Sequence, residues 1–295
     1  MNIGIEEEIQ NRLLTGFENW NRGFKTWKAW GNILYTNDSI YNVHGTRLSL
    51  ASYQEAMDVT LKQATILMGD FHNMLITDEF TAIHYDIYTG SQKRKSTVME
   101  FVKFKYYGRT LGTRVVEGWG STKDDSGEGL KNFQVDKEKV EQEKQDNYIK
   151  NYNIPTSSIL KEKYIIKYPT EYIDANAEDI LNIILSGFES WNNGITSYLA
   201  WVNNNYDSNA ISSFNDKNRT MDEYKGNMRE LFRREKIEKL YFDNILIRDN
   251  WTGLHYRYRR KKRDTEELID FGDRMEFWYF KEIDGILKIT GSWIK

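Results

Sequence analysis

The chain has 295 residues, 39% of them hydrophobic and 14% aromatic, with a formal net charge of −3. That apolar mass excludes wholesale disorder, and the near balance of charge removes any global reason to expect nucleic acid or an acidic membrane surface as a partner. The lack of cysteine excludes disulfides, thiolate metal sites and cysteine nucleophiles together.

The opening MNIGIEEEIQNRLL is acidic and has no basic stretch followed by an apolar one, so no secretory signal is expected. No apolar run approaches the ~18 residues needed to span a bilayer. A soluble, cytoplasmic protein is the expectation. In IEEEIQNRLLTGFENW, Ile9, Leu13, Phe17 and Trp20 recur at helical spacing, and Glu6, Glu7 and Glu8 sit in the first turn, where the helix dipole favours acids. Gly23 ends or bends this helix. FKTWKAWGNILY follows as a second helix with Trp27, Trp30 and Leu34 on one stripe, and NDSIYNVHG as a short extended piece closed by Gly45. SLASYQEAMDVTLKQATIL predicts a third helix with Ser49 or Ser52 as N-cap. After Gly69 the period changes to two. FHNMLIT, FTAIHYDIY, STVMEFVKFKY and GTRVVEGWG predict four strands with turn signals between them. Short connections pair such strands antiparallel, and helices followed by a meander make an α+β arrangement.

A different kind of sequence comes next. Residues 122–136 are rich in Gly, Ser, Asp and Lys, and DKEKVEQEKQDNYIKNY is charged with almost no apolar stripe. Both prolines, Pro155 and Pro169, follow it. This is the composition of a linker carrying a solvated helix, with KYIIKY (163–168) as a short strand or a packing arm.

Then the first phrase returns: GFENWNRG (16–23) recurs as GFESWNNG (187–194). A shift of 171 positions extends the match without a gap from Leu14 to Tyr85, with about a third of the positions identical. It pairs Trp20 with Trp191, Trp30 with Trp201, Tyr35 with Tyr206, and His84-Tyr85 with His255-Tyr256. After one insertion MEFVKF (99–104) meets MEFWYF (275–280), and Gly118 is matched to Gly291. Duplication of a domain of roughly 115 residues is the economical explanation. The expected organisation is a first domain over 1–122, a linker over 123–175 and a second domain over 176–295.

Strand alternation assigns faces. If the hairpin between the second and third predicted strands turns at Gln92, His84 lies across from Glu100, with Cβ atoms ~5 Å apart. The second copy offers His255 and Glu276 in the same places. Two readings stand side by side: a general acid–base pair at the floor of a pocket, or a buried polar pair that only fixes register. His72, His84 and Glu100 are the residue types of a two-His, one-carboxylate metal set, but the spacing is generic, and no metal or cofactor is expected. RYRRKKRD (257–264) is the densest basic run; its place at a strand end, with acids following, fits an exposed turn better than nucleic-acid contact. Neither GxGxxG, GxxxxGK[ST] nor GxSxG occurs, which disfavours nucleotide-dependent and serine-hydrolase chemistry.

The segment WGNILYTNDSIYNVHGTRLSLASYQEAM, with its weaker copy WVNNNYDSNAISSFNDKNRTMDEYKGNM, resembles the nuclear transport factor 2-like superfamily, and within it the SnoaL-like polyketide cyclase and ketosteroid isomerase branch. The resemblance covers both copies and not the linker. It implies a cone-like curved antiparallel sheet packed on three N-terminal helices, with a pocket between them. It also implies sheet-to-sheet dimers, here within one chain or between two. In ketosteroid isomerases an aspartate near Asp38 is the general base and a first-helix tyrosine helps bind the oxyanion. The second copy has Asn209 in register with Asp38 and Asp207 close by, and the first helices carry Trp20 and Trp191 in place of a matching tyrosine. The resulting expectation is a tandem protein that binds a small apolar or aromatic metabolite through Trp20, Trp30, Tyr35, Trp191, Trp201, Tyr206 and Trp278. Cofactor-independent acid–base chemistry of the isomerase, cyclase or dehydratase kind would rest on His84/Glu100, His255/Glu276 and Asp38. The rival is a non-catalytic module with vestigial pockets.

Overall fold

A computed structural model describes residues 4–43, 46–63, 65–90, 94–122, 166–168 and 177–295. The expected linker helix and the His44-Gly45 turn lie outside the described residues. The chain divides into two units, Met1–Asn147 and Tyr148–Lys295.

In the first unit, helix α1 (Ile5–Asn21) buries Ile9, Leu13, Gly16 and Trp20, a spacing that keeps them on one stripe. Helix α2 (Phe24–Leu34) buries Trp27, Gly31 and Leu34. The glycines of the repeated phrase join the two. A Cβ on Gly16 would stand 2.2 Å from the Trp30 ring, and one on Gly187 2.6 Å from Trp201, so only glycine lets the helices close. Gly23 and Gly194 have φ of +114° and +104°, a region that L side chains avoid, and each starts the second helix of its unit.

Strands β1 (Tyr35–Val43) and β2 (Thr46–Ser49) lead to helix α3 (Leu50–Gln63), whose first turn is capped by the Ser49 hydroxyl accepting from the Ser52 N–H at 3.2 Å. Four strands follow: β3 (Ile66–Ile76), β4 (Phe80–Thr89), β5 (Arg94–Tyr106) and β6 (Thr113–Ser121). They form the antiparallel meander that the alternation predicts, in a six-stranded sheet of order β2-β1-β6-β5-β4-β3. The sheet is mixed, not antiparallel throughout, because β1 pairs with β6 in parallel. A helix and four strands separate those two in sequence, so no short hairpin dictates their direction.

The second unit repeats the plan. Strand β7 (Ile166–Tyr168) precedes helices α4 (Ala177–Asn192) and α5 (Ile195–Asn205), strands β8 (Tyr206–Phe214) and β9 (Lys217–Arg219), and helix α6 (Met221–Arg234). Strands β10 (Glu235–Arg248), β11 (Trp251–Lys262), β12 (Leu268–Ile283) and β13 (Ile286–Ile294) complete it. Thr220 and Glu223 form a capping box on α6. The sheet order is β7-β10-β11-β12-β13-β8-β9, and β7 adds in parallel to the edge of β10. The described part of the KYIIKY arm, Ile166–Tyr168, is therefore an edge strand of the second sheet. Register corrects one match from the sequence. Val102 pairs with Gly118 and Trp278 with Ser292, so Gly118 corresponds to Ser292 and Trp119 to Trp293. The basic run on β11 is laced to neighbouring acids: Arg257 to Asp243, Arg259 to Glu238, and Arg260 to Glu235 at 2.9 Å. No helix among the described residues is long and apolar enough to cross a membrane.

Candidate functional site

The helices of the first unit cover the sheet face that carries Tyr85, Ile87, Val98, Glu100 and Val102, and an aromatic hollow lies between the two layers. It has two adjoining cavities of about 60 and 50 Å³. Both are bounded by Trp20, Tyr41, Tyr53, Met68, Tyr85 and Glu100. Trp30 and Tyr35 line the second cavity, with Phe17 from α1. Each volume has room for a few water-sized groups, well below the few hundred Å³ of a drug-sized pocket.

Glu100 is the carboxylate of this hollow. It is half-buried, with cavity on one side and protein around the rest. Tyr85 donates to its Oε1 at 3.0 Å. Burial raises its carboxyl above the ordinary range, against the opposing effect of hydrogen bonds from Tyr41 and Tyr85. Burial and the Glu100 charge together push the Tyr35, Tyr41, Tyr53 and Tyr85 hydroxyls up, so they stay protonated donors. Gly118 and Gly120 make space for Tyr41: a Cβ on Gly118 would stand 2.4 Å from its ring.

The histidines are not in the hollow. β4 and β5 pair Ile83 with Glu100 and His84 with Met99, one residue away from the expected register. The pairing of Thr89 with Arg94 leaves a four-residue connection, 90–93, so the centre of symmetry falls between residues 91 and 92 and not on Gln92. A one-residue slip sends every side chain to the other face. His84 therefore lies on the opposite face from Glu100, 2% exposed, with its ring 4.8 Å from that of His72. His72 in turn bonds Asp86 at 2.7 Å, and Lys95 reaches the other oxygen of Asp86 at 2.7 Å. The second unit repeats the correction. Leu254 pairs with Glu276 and His255 with Met275. His255 Nε2 meets Asp273 at 2.9 Å and Asp243 at 3.8 Å, away from Glu276. The expected His84/Glu100 and His255/Glu276 pairs do not form, and the set His72, His84 and Glu100 is split across the sheet. Among the described residues no group of three His, Asp or Glu side chains is arranged to hold a metal ion. Asp38 is exposed on β1 and lines neither cavity; Asn209 is exposed as well.

The second unit keeps the frame of the site and places Lys239, Arg274 and Trp278 within it. Trp191 donates from Nε1 to the Ile237 carbonyl at 2.7 Å, as Trp20 does to Ile66 at 2.9 Å. Asn192 clamps both backbone groups of Lys239, at 2.8 and 2.9 Å, as Asn21 clamps those of Met68, at 3.1 and 2.8 Å. Tyr256 donates to Glu276 as Tyr85 does to Glu100. In place of Met68 stands Lys239, its ammonium 4.1 Å from the Phe188 centroid, 4.7 Å from Trp191 and 4.9 Å from Tyr256. It lies 4.0 Å from Glu276, which is 4% exposed. Burial pushes the Lys239 amine down to about 8, against the upward pull of Glu276 and with a further downward push from Arg274. In place of Val102 stands Trp278, which donates to Glu276 Oε2 at 2.8 Å and packs on Trp201. In place of Val98 stands Arg274, between Phe214 and Tyr258, at 5.0 and 5.1 Å. Tyr206 and Tyr224 pack beneath them, ring centroids 6.0 Å apart. Lys239 and Met68 escaped the sequence argument because each is one unremarkable position in the repeat. The exchange Met68/Lys239 beside a shared Glu was the available signal.

No protein-family model and no curated protein matches the chain. Among solved structures it is similar to a nuclear transport factor 2-like protein of unknown function from Shewanella oneidensis MR-1, at 17% identity over 40% of this chain and 96% of that one, TM-score 0.30. It is similar to a ketosteroid isomerase-like protein from Erwinia carotovora atroseptica SCRI1043, at 9% identity over 41% and 96%, TM-score 0.33. It is also similar to a putative SnoaL-like polyketide cyclase from Mesorhizobium loti, at 12% identity over 39% and 97%, TM-score 0.31. Each likeness spans about the length of one unit.

Proposed function

We propose that the first unit is a small-molecule-binding domain, and that the second is its filled counterpart. The observation that carries this is the paired hollow of the first unit, where an aromatic wall converges on the single carboxyl of Glu100. Such a site takes a small, flat or apolar metabolite and orients it through one hydrogen-bonding group. A carboxyl whose affinity for its proton is raised by burial can, in its protonated form, donate to a ligand oxygen or nitrogen and pass its proton on. Cofactor-independent proton transfer of the isomerase, cyclase or dehydratase kind would run through Glu100. Trp20, Trp30 and Tyr35 form the walls.

The rival reading, a module with a vestigial pocket, is favoured for the second unit by a specific observation: Lys239, Arg274 and Trp278 occupy the places of Met68, Val98 and Val102. There Trp191, Trp201 and Tyr206 are core. The test is ligand-observed NMR with small aromatic probes such as phenol, on the full chain and on Val98→Phe, which narrows the first cavity. Binding by the wild type and its loss in V98F is the expected result. No binding to either, together with no small molecule retained in native mass spectrometry of the protein purified from its own host, would defeat the reading.

A further inference from the structure

The two units carry the same cage around different occupants. Phe188, Trp191, Tyr256 and Glu276 surround the Lys239 ammonium. Their counterparts at the repeat positions are Phe17, Trp20, Tyr85 and Glu100, and all four line the same cavity. The geometry matches too: Phe17 meets Tyr85 edge-on at 4.8 Å, and Phe188 meets Tyr256 edge-on at 4.7 Å. The backbone of the variable position is held by the same asparagine clamp in both. Only the side chain differs. Met68 lines both cavities and carries a neutral thioether, so the first unit has the rings and the carboxyl without the lysine.

We propose that the first unit's cavity binds a small alkylammonium ion, with its nitrogen beside Glu100 and among the faces of Phe17, Trp20 and Tyr85. This rests on the reading of the first unit as a binding domain and names the class of its ligand. The second unit is the internal demonstration that this constellation holds an ammonium. Three ring faces attract a cation through their quadrupoles, and the carboxylate supplies the opposite charge. Burial raises the Glu100 carboxyl above its ordinary range, and a cation beside it would favour its ionised form. An alkylammonium ion beside the Glu100 carboxylate leaves no net charge buried, and any proton on the carboxyl is released to solvent when the cation enters. The cavity volumes limit the ligand to a chain of a few heavy atoms.

The experiment is isothermal titration of the full chain with n-butylammonium chloride, and with n-butanol as the neutral control of the same shape. Butylammonium is expected to bind at one site per chain, at least about tenfold tighter than butanol. Glu100→Gln should weaken the amine by about tenfold or more while leaving butanol nearly unchanged. Met68→Lys, which writes the second unit's occupant into the first, should abolish amine binding with the fold retained by circular dichroism. If butanol binds as tightly as the amine, or E100Q binds the amine normally, ammonium recognition is wrong while the cavity reading stands. If neither ligand binds and phenol does not either, both fail together.

Discussion

One sequence plan gives two interiors in this molecule. In the first unit the face behind α1 and α2 carries Val43, Ile87, Val98 and Val102, and cavities remain. In the second the same positions hold Phe214, Tyr258, Arg274 and Trp278, and Lys239 enters from β10. One exchange runs the other way. Tyr41 over Gly118 becomes Ser212 beside Ser292, whose hydroxyls bond at 3.1 Å. The lesson is that the backbone and its clamps are inherited as a block, while a few side chains decide whether the hollow is open. The Lys239 cation in the second unit stands 4.0 Å from Glu276, the counterpart of Glu100.

The largest expected effect comes from removing the occupant. Lys239→Met leaves Glu276 buried without its cation and should cost the second unit roughly 3–5 kcal/mol at neutral pH, read by urea unfolding. Adding Glu276→Gln should recover most of that loss, since no uncompensated charge then remains. A loss under about 1 kcal/mol for K239M would mean that the ion pair is not what holds this core.

Next is the Tyr41–Gly118 exchange. Gly118→Ala drives a methyl into the Tyr41 ring and should destabilise the first unit by about 1–3 kcal/mol. The double variant Tyr41→Ser/Gly118→Ser, which imports the second unit's solution, should be more stable than G118A alone. If the double variant is worse, the two units do not share interchangeable packing at this point.

Smaller is the pH dependence set by Glu100. Its folded-state value is raised, so its contribution is fully present below the ordinary carboxyl value and is lost as pH rises through the raised one. Thermal unfolding from pH 4 to 8 should show wild-type stability falling across that window relative to Glu100→Gln, which lacks the ionisation. Parallel curves would remove the claim that burial raises the Glu100 carboxyl. The smallest effect belongs to the opposite face. His84→Gln should leave phenol and butylammonium binding within about threefold of wild type, under roughly 0.7 kcal/mol, because His84 does not border the hollow. A larger loss would return the histidine to the site.

Much of this was legible in the residues. Helical spacing gave α1 to α3, period two gave the meander, and an ungapped match gave the second copy. The aromatic walls Trp20, Trp30 and Tyr35 were legible as well, since tryptophan on the core stripe of a helix packed on a sheet has few other places to go. The histidine–glutamate pairing was not. It depended on whether the connection after β4 held an odd or an even number of residues, and 90–93 is even. Asp38 was expected from the resemblance and not from alternation; it stands exposed on β1, in the stretch between Tyr35 and Ile40 where that strand shifts register on β6.

The sequence by itself determined the doubling, the α+β order of elements and the aromatic content of the two interiors, because periodicity and repetition are local and survive without coordinates. Tertiary structure alone decided that β1 lies parallel to β6, that Glu100 and not His84 meets the hollow, and that the Lys239 ammonium sits among Phe188, Trp191 and Tyr256 beside Glu276. Those facts turn on strand register and on side chains far apart in the chain meeting in one small space, and no local pattern encodes either.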